Sequence, residues 1–299
     1  MEGLYYKHSG RFTWPGVFAG LVAGSLVGLV LGYLYAYVIL YIPLAGYVTF
    51  ILTGGFGLLQ GVAVAGALKW QKVRNPGLAG VVLFLTTTLA FYFSWAVWVY
   101  AFLRRAEGEV SLLALVLQPG ALWETIRLIN ANGAWSIRGS TPTGAILWTF
   151  WGLEAAIIFG VALWAGMGWI NKEPFCERCD KWCDQEEGVC LVPNAGAEEF
   201  KQHMEGKDFR YLETLGVPLP DCSDLHRLDL YSCKSCANTN TLEATRIVKT
   251  EKKGKIEEES TEVITKLLLS TSEADQIRQI GKKLAGPAPE AAAESGATV

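Results

Sequence analysis

The chain has 299 residues and a net charge of −3, and 51% of its residues are hydrophobic against 18% charged. That is too apolar for an ordinary water-soluble protein of this size. Residues 1–170 hold nine Lys/Arg, five Glu and no Asp, whereas 171–299 hold seventeen Lys/Arg and twenty-four Asp/Glu, so the two parts are built for different solvents. Ten of the eleven Trp precede Asn171, as expected of a membrane domain with aromatic rings at its interfaces. No basic block points to nucleic acid.

The uncharged run 14–68 is too long for one membrane helix and fits two. The break falls at Ile42-Pro43-Leu44-Ala45-Gly46, because proline cannot donate to a continuing helix and disfavours helix in the residue before it. Spans of about 15–41 and 44–68 follow. A third runs over 78–103, closed by Arg104 and Arg105, and a fourth over 144–170 with one charge, Glu154. Between them, the apolar piece 110–117 is too short to cross. After Pro119-Gly120, Leu122, Trp123, Ile126 and Ile129 recur at helical spacing with Glu124 and Arg127 opposite, which predicts an external interfacial helix over about 121–131.

With four spans, Lys7, Arg11, Lys69, Lys72, Arg74, Lys172, Arg178 and Lys181 fall on one side and Arg104, Arg105, Arg127 and Arg138 on the other. Eight against four places both termini, 1–14 and the region after 170, in the cytoplasm. The apolar stretch continues too far for a signal peptide, so the first helix reads as a retained anchor.

Small residues fall on every fourth position of the first two spans: Gly16, Gly20, Gly24, Gly28, Gly32 and Ala36, then Ala45, Thr49, Thr53, Gly57, Gly61 and Ala65. Residues four apart share a helix face, and small faces let backbones approach closely in lipid. The short turn makes a hairpin of these two spans the simplest pairing. A homo-oligomer through the same faces is the competing reading. Glu154, with Ser94 at a similar height and Gln60 one tier below, forms a candidate intramembrane polar site. Its plainer reading is interhelical hydrogen bonding with a protonated carboxyl; its sharper one is a proton or cation path.

All seven cysteines follow Pro174. Cys176-Glu-Arg-Cys179 and Cys233-Lys-Ser-Cys236 are two Cys-x-x-Cys knuckles, each able to present two sulfurs to one metal, and structural zinc is the expected cofactor. The fifty-three residues between them are long for a zinc ribbon, but 197–205 and 208–215 read as short helices. Segments 242–251 and 256–269 flank Lys252-Lys253-Gly254-Lys255 as a hairpin, and Ser272 can cap a helix over 273–284. The arrangement over about 174–269 resembles a zinc ribbon with a helical insert. A ribbon this small has little core, so the metal should supply much of its folding energy. Cys183, Cys190 and Cys222 remain, with His203 and His226 available for a second site or the thiols simply buried. Beyond 285 the small-residue tail reads as disordered.

The expected fold is therefore an all-α polytopic membrane bundle of four helices followed by a small α+β zinc-ribbon-like domain over 171–285. No catalytic motif is present. The expected function is to anchor a zinc-stabilised cytoplasmic domain that binds another protein, within a larger membrane complex. A transporter or channel component using Glu154, and a membrane thiol oxidoreductase, are the alternatives.

Overall fold

The computed structural model describes residues 3–41, 47–106, 108–135, 141–219, 221–252 and 255–285. The turn expected at 42–46, Arg138, the 253–254 tip and the tail 286–299 lie outside the described residues. The chain divides into two compact units, one of residues 9–172 and one joining 1–8 with 173–299.

The first unit holds helices α1 (Trp14–Tyr41), α2 (Tyr47–Trp70), α3 (Pro76–Arg105), α4 (Leu112–Leu117), α5 (Pro119–Asn132) and α6 (Gly144–Lys172). Four of them, α1, α2, α3 and α6, are long and apolar enough to cross a membrane, which marks the chain as an integral membrane protein. Local chemistry sets their starts. Thr13 Oγ1 accepts from Gly16 N at 3.2 Å, and Asn75 Oδ1 accepts from Leu78 N at 2.9 Å with Pro76 in the first turn. Along α6, Trp148 and Trp169 lie about 31 Å apart at 1.5 Å per residue, close to the thickness of a bilayer's hydrocarbon layer.

The glycine row of α1 is buried from Gly16 to Ala36. A Cβ at Gly24 would lie 2.6 Å from Val64 of α2 and 2.9 Å from Thr86 of α3; one at Gly32 would lie 2.9 Å from the Ala90 carbonyl of α3. The α1 row therefore seats side chains of α2 and the backbone of α3. The α2 row turns elsewhere, since a Cβ at Gly57 would meet the Ile158 carbonyl at 2.6 Å and one at Gly61 would meet Ala162, both in α6. The first two helices do pack on each other, with Leu68 and Val64 of α2 against Gly20 and Gly24, but the small-residue row of α2 faces α6 and not the row of α1. The reason is geometric: each helix of a bundle has two neighbours, and a row of bare backbone goes where the closest approach is made.

At the end of this unit that holds Arg105 and Gly144, α4 and α5 pack on α3 and α6. Leu115, Leu122, Ile126 and Ile129 are buried with Ala96, Val99, Leu147 and Trp151. Tyr92 donates its hydroxyl proton to the Val116 carbonyl at 2.8 Å, and Asn130 Nδ2 donates to the Gly144 carbonyl at 3.1 Å. Edge-to-face contacts link Trp95, Trp98, Trp148 and Trp151. Glu124 and Arg127 pair at 3.3 Å on the exposed face of α5. Pro119 separates α4 from α5 and opens α5, because its missing N–H costs nothing in a first turn.

The second unit contains β1 (Phe175–Cys176), β2 (Lys181–Trp182), β3 (Asp184–Pro193), α7 (Ala197–Glu205), α8 (Tyr211–Leu215), β4 (Asp224–Ser232), β5 (Asn240–Lys252), β6 (Lys255–Leu269) and α9 (Thr271–Ala285). Strands β3 to β6 form one antiparallel sheet in sequential order, and β1 pairs with β2. The expected α7 and the β5–β6 hairpin are present, whereas β3 and β4 are additional. The helix cap moves from Ser272 to Ser270: its Oγ accepts from Glu273 N at 3.3 Å while Glu273 accepts from Ser270 N at 2.7 Å, a capping box. Helices α7, α8 and α9 close over the sheet around Phe200, Met204, Phe209, Leu212, Leu228 and Ile277. This core is assembled apart from the cysteine knuckles, which corrects the expectation of a domain with little core.

Residues 4–6 join this unit. Tyr6 N donates to the Lys266 carbonyl at 2.9 Å and Leu268 N to the Leu4 carbonyl at 3.0 Å, so the segment adds to the free edge of β6, and Tyr5 donates to Glu205. Segments preceding α1 and following α6 thus fold together, which requires them to share a side of any membrane and the number of crossings between them to be even.

Candidate metal centre

The first knuckle, Cys176 to Cys179, is the connection of the β1–β2 hairpin, where Cys176 is paired with Lys181. The second, Cys233 to Cys236, is the connection from β4 to β5, closed by Cys233 N donating to the Thr239 carbonyl at 3.1 Å. Both chain segments turn alike. The residue after each second cysteine has a left-handed backbone, Asp180 at φ 52° and Ala237 at φ 50°. Such a conformation is rare for side chains other than glycine, asparagine and aspartate. Its repetition shows that both loops fold the backbone back to aim two sulfurs inward.

The sulfurs of Cys176, Cys179, Cys233 and Cys236 all lie within 4.8 Å of one another, and none is in a disulfide. Cys176 Sγ and Cys236 Sγ are 3.6 Å apart, far beyond a disulfide bond of about 2.05 Å. A metal held tetrahedrally by sulfurs at about 2.3 Å spaces them by about 3.8 Å. Cys176 and Cys233 are buried, Cys179 and Cys236 half-buried.

Burial works against ionisation of Cys176, but hydrogen bonds from the Thr239 side chain, the Cys179 backbone and the Cys236 and Cys233 thiols outweigh it and bring the group down to about 6. Cys179 is pushed up to about 12 by its hydrogen bond with Cys236, by burial and by Cys233. The cluster alone thus favours the thiolate at Cys176 and disfavours it at Cys179. A bound dication reverses this, because its charge stabilises all four thiolates. The four cysteines can hold one metal ion.

Ala237 gives a test of the loop geometry. Its side chain is exposed, so Ala237→Gly removes only the left-handed penalty of about 1 kcal/mol. The variant is expected to raise the thermal stability of the metal-loaded protein; a lowered Tm would show that the loop does not hold this backbone.

The remaining cysteines go to separate places. Cys183 is buried against the cluster with its Sγ 3.9 Å from the Thr239 carbonyl, and burial pushes its thiol up to about 12. Cys190 belongs to the sheet core, and Cys222 Sγ lies 3.2 Å from the Asp224 carbonyl. His203 pairs with Asp208 at 3.0 Å, while His226 is buried and stacks on Phe200 at 4.2 Å. Burial lowers the pKa of His226. Among the described residues these groups form no second cluster of metal ligands.

In the helical unit, Glu154 accepts a hydrogen bond from Tyr35 of α1, whose hydroxyl is also 3.0 Å from Thr53 Oγ1 of α2. Ser94 and Gln60 have other partners: Ser94 Oγ donates to Phe91 O at 2.8 Å within its own helix, and Gln60 Nε2 donates to Gly24 O at 3.0 Å. The sequence does not single out Tyr35, because nothing local distinguishes its hydroxyl from those of Tyr33 and Tyr37 in the same helix. The network ties three helices together, and Glu154→Gln keeps an acceptor for Tyr35. That variant is expected to shift stability by less than about 0.6 kcal/mol, with Tyr35→Phe and Glu154→Ala costing more. Loss of a proton flux in liposomes by a folded Glu154→Gln protein would instead assign the carboxyl to transport.

No family model, curated protein or solved structure matches this chain.

Proposed function

We propose that the chain is a non-catalytic integral membrane protein whose four-helix bundle anchors a zinc-stabilised, zinc-ribbon-like cytoplasmic domain that binds another protein, as a subunit of a larger membrane complex. The observation that carries this reading is the convergence of two knuckles of like backbone on one point, with four sulfurs within 4.8 Å and no disulfide. Zinc is preferred over iron, which four thiolates also suit, because nothing else in the sequence points to electron transfer, and such closed zinc sites are structural rather than catalytic. The partner is a protein because β5 and β6 extend past the end of β4 as a charged two-stranded arm with Ile256 exposed. Isolated two-stranded ribbons are marginal by themselves and gain from a binding surface.

The test is metal analysis of the purified protein together with a thiol count. One zinc per chain, with four of the thiols protected until a chelator is added, is expected. One disulfide per knuckle and no metal would replace this reading with thiol-disulfide exchange. Orientation is tested separately: a cysteine introduced at Thr141 should be labelled by an impermeant reagent in intact cells, whereas the native cysteines should not. Labelling of the native cysteines in intact wild-type cells would reverse the topology.

A further inference from the structure

Two polar side-chain atoms at the heart of the helical unit, Gln60 Oε1 and Thr87 Oγ1, have no hydrogen-bond partner among the described residues although both residues are 0% exposed. They belong to one layer. Gly24 faces Val64 and Thr86, whereas Gly28, one turn on, faces Gln60 and Ala90, so Gln60 of α2 and the 86–90 turn of α3 lie between the same two glycines of α1. The face of α3 that carries Thr87 is also turned toward α2 and α6. Leu83, one turn before Thr87 on its face of α3, lies 2.6 Å from where a Cβ of Gly166 in α6 would stand, and that same position is 3.1 Å from the carbonyl of Gly61, the neighbour of Gln60.

The amide of Gln60 is anchored, since Nε2 donates to the Gly24 carbonyl at 3.0 Å and so fixes the direction of its oxygen. Thr86, beside Thr87, satisfies its own hydroxyl by donating to the Val82 carbonyl at 2.9 Å. Thr87 makes no such bond. A buried polar group left without a partner carries its full desolvation penalty, and this is most severe where neither water nor lipid headgroup can reach.

We propose that one water molecule is bound between Gln60 Oε1 and Thr87 Oγ1 at the centre of the four-helix bundle. It donates one proton to the amide oxygen and completes the threonine hydroxyl with its remaining donor or acceptor capacity. Water fits better than a cation, because helix carbonyls are engaged along the ladders and two neutral side-chain oxygens are too few to replace an ion's hydration shell. The site is distinct from the Tyr35–Glu154–Thr53 network, which shares none of its residues.

The experiment is thermal unfolding of the full-length protein in detergent as wild type, Thr87→Val, Gln60→Met and the double variant. With a bridging water, Thr87→Val lowers Tm by about 2–4 °C, and that loss shrinks in the Gln60→Met background because the bridge is already broken. If Thr87→Val raises Tm, or shifts it equally in both backgrounds, the two groups are independent and the proposal fails. Should a variant not fold, high-resolution density of the wild type decides: a peak within hydrogen-bond distance of both atoms supports the site, and continuous apolar packing there overturns it.

Discussion

Replacing Cys233 by serine is expected to reduce bound metal from one ion per chain to none and to unfold both knuckles, 174–183 and 233–239. Cys233 is 2% exposed, and its sulfur belongs to the group of four within 4.8 Å of one another. The first knuckle is otherwise held by the two-residue strands β1 and β2 and the bond from Cys183 N to the Pro174 carbonyl at 2.9 Å. Thiolate coordination of structural zinc is worth about 10–16 kcal/mol in small domains, far more than those contacts. The β3–β6 sheet should survive, because its core of Phe200, Met204, Leu212, Leu228 and Ile277 contains no knuckle residue. Hydrogen exchange of the backbone amides checks both parts. Retained metal would sink the ligand assignment, and simultaneous loss of protection across the whole sheet would sink the separation of core from knuckle. The Cys183→Ser variant should keep its metal, since that sulfur lies outside the group of four.

Gly57→Leu is expected to cost the helical unit at least the ~3 kcal/mol at the upper end of ordinary overpacking. A Cβ there would stand 2.6 Å from the Ile158 carbonyl and 3.2 Å from Val161 Cβ. The obstacle is backbone, which cannot rotate aside as a flexible side chain can, so α2 and α6 would have to part along their seam. Gly61, one turn further, meets Ala162 in the same way, and the strain could not be relieved by sliding one turn. Leu26→Ala provides the contrast, because Leu26 is 60% exposed on the outer face of α1. Unfolding temperatures in detergent should fall sharply for the glycine variant and little for the leucine variant. Equal stabilities would mean that the α2–α6 seam is not a close contact.

The sequence by itself determined the features written in short stretches of chain. Apolar length between charges marks the four membrane-crossing helices, because burying a charge in hydrocarbon is costly wherever the helix goes. The Cys-x-x-Cys spacing selects the four sulfurs from seven cysteines, because two residues between thiols allow a loop to aim both at one point. The alternation and turn residues of β5 and β6, and the amphipathic spacing of α7, are local in the same sense. Tertiary structure alone decided what each surface meets. It gave the glycine row of α2 to α6, made Tyr35 the partner of Glu154, and completed the β6 edge with residues 4–6. It also recruited β3 and β4, whose charged residues Asp184, Glu186, Glu187, Arg227 and Asp229 mask their alternation, into a sheet with its own core. A periodic pattern shows that a face will be buried without naming the burying partner, because many partners offer similar apolar area. The choice among them is made by steric closeness and hydrogen bonding between residues far apart in the chain.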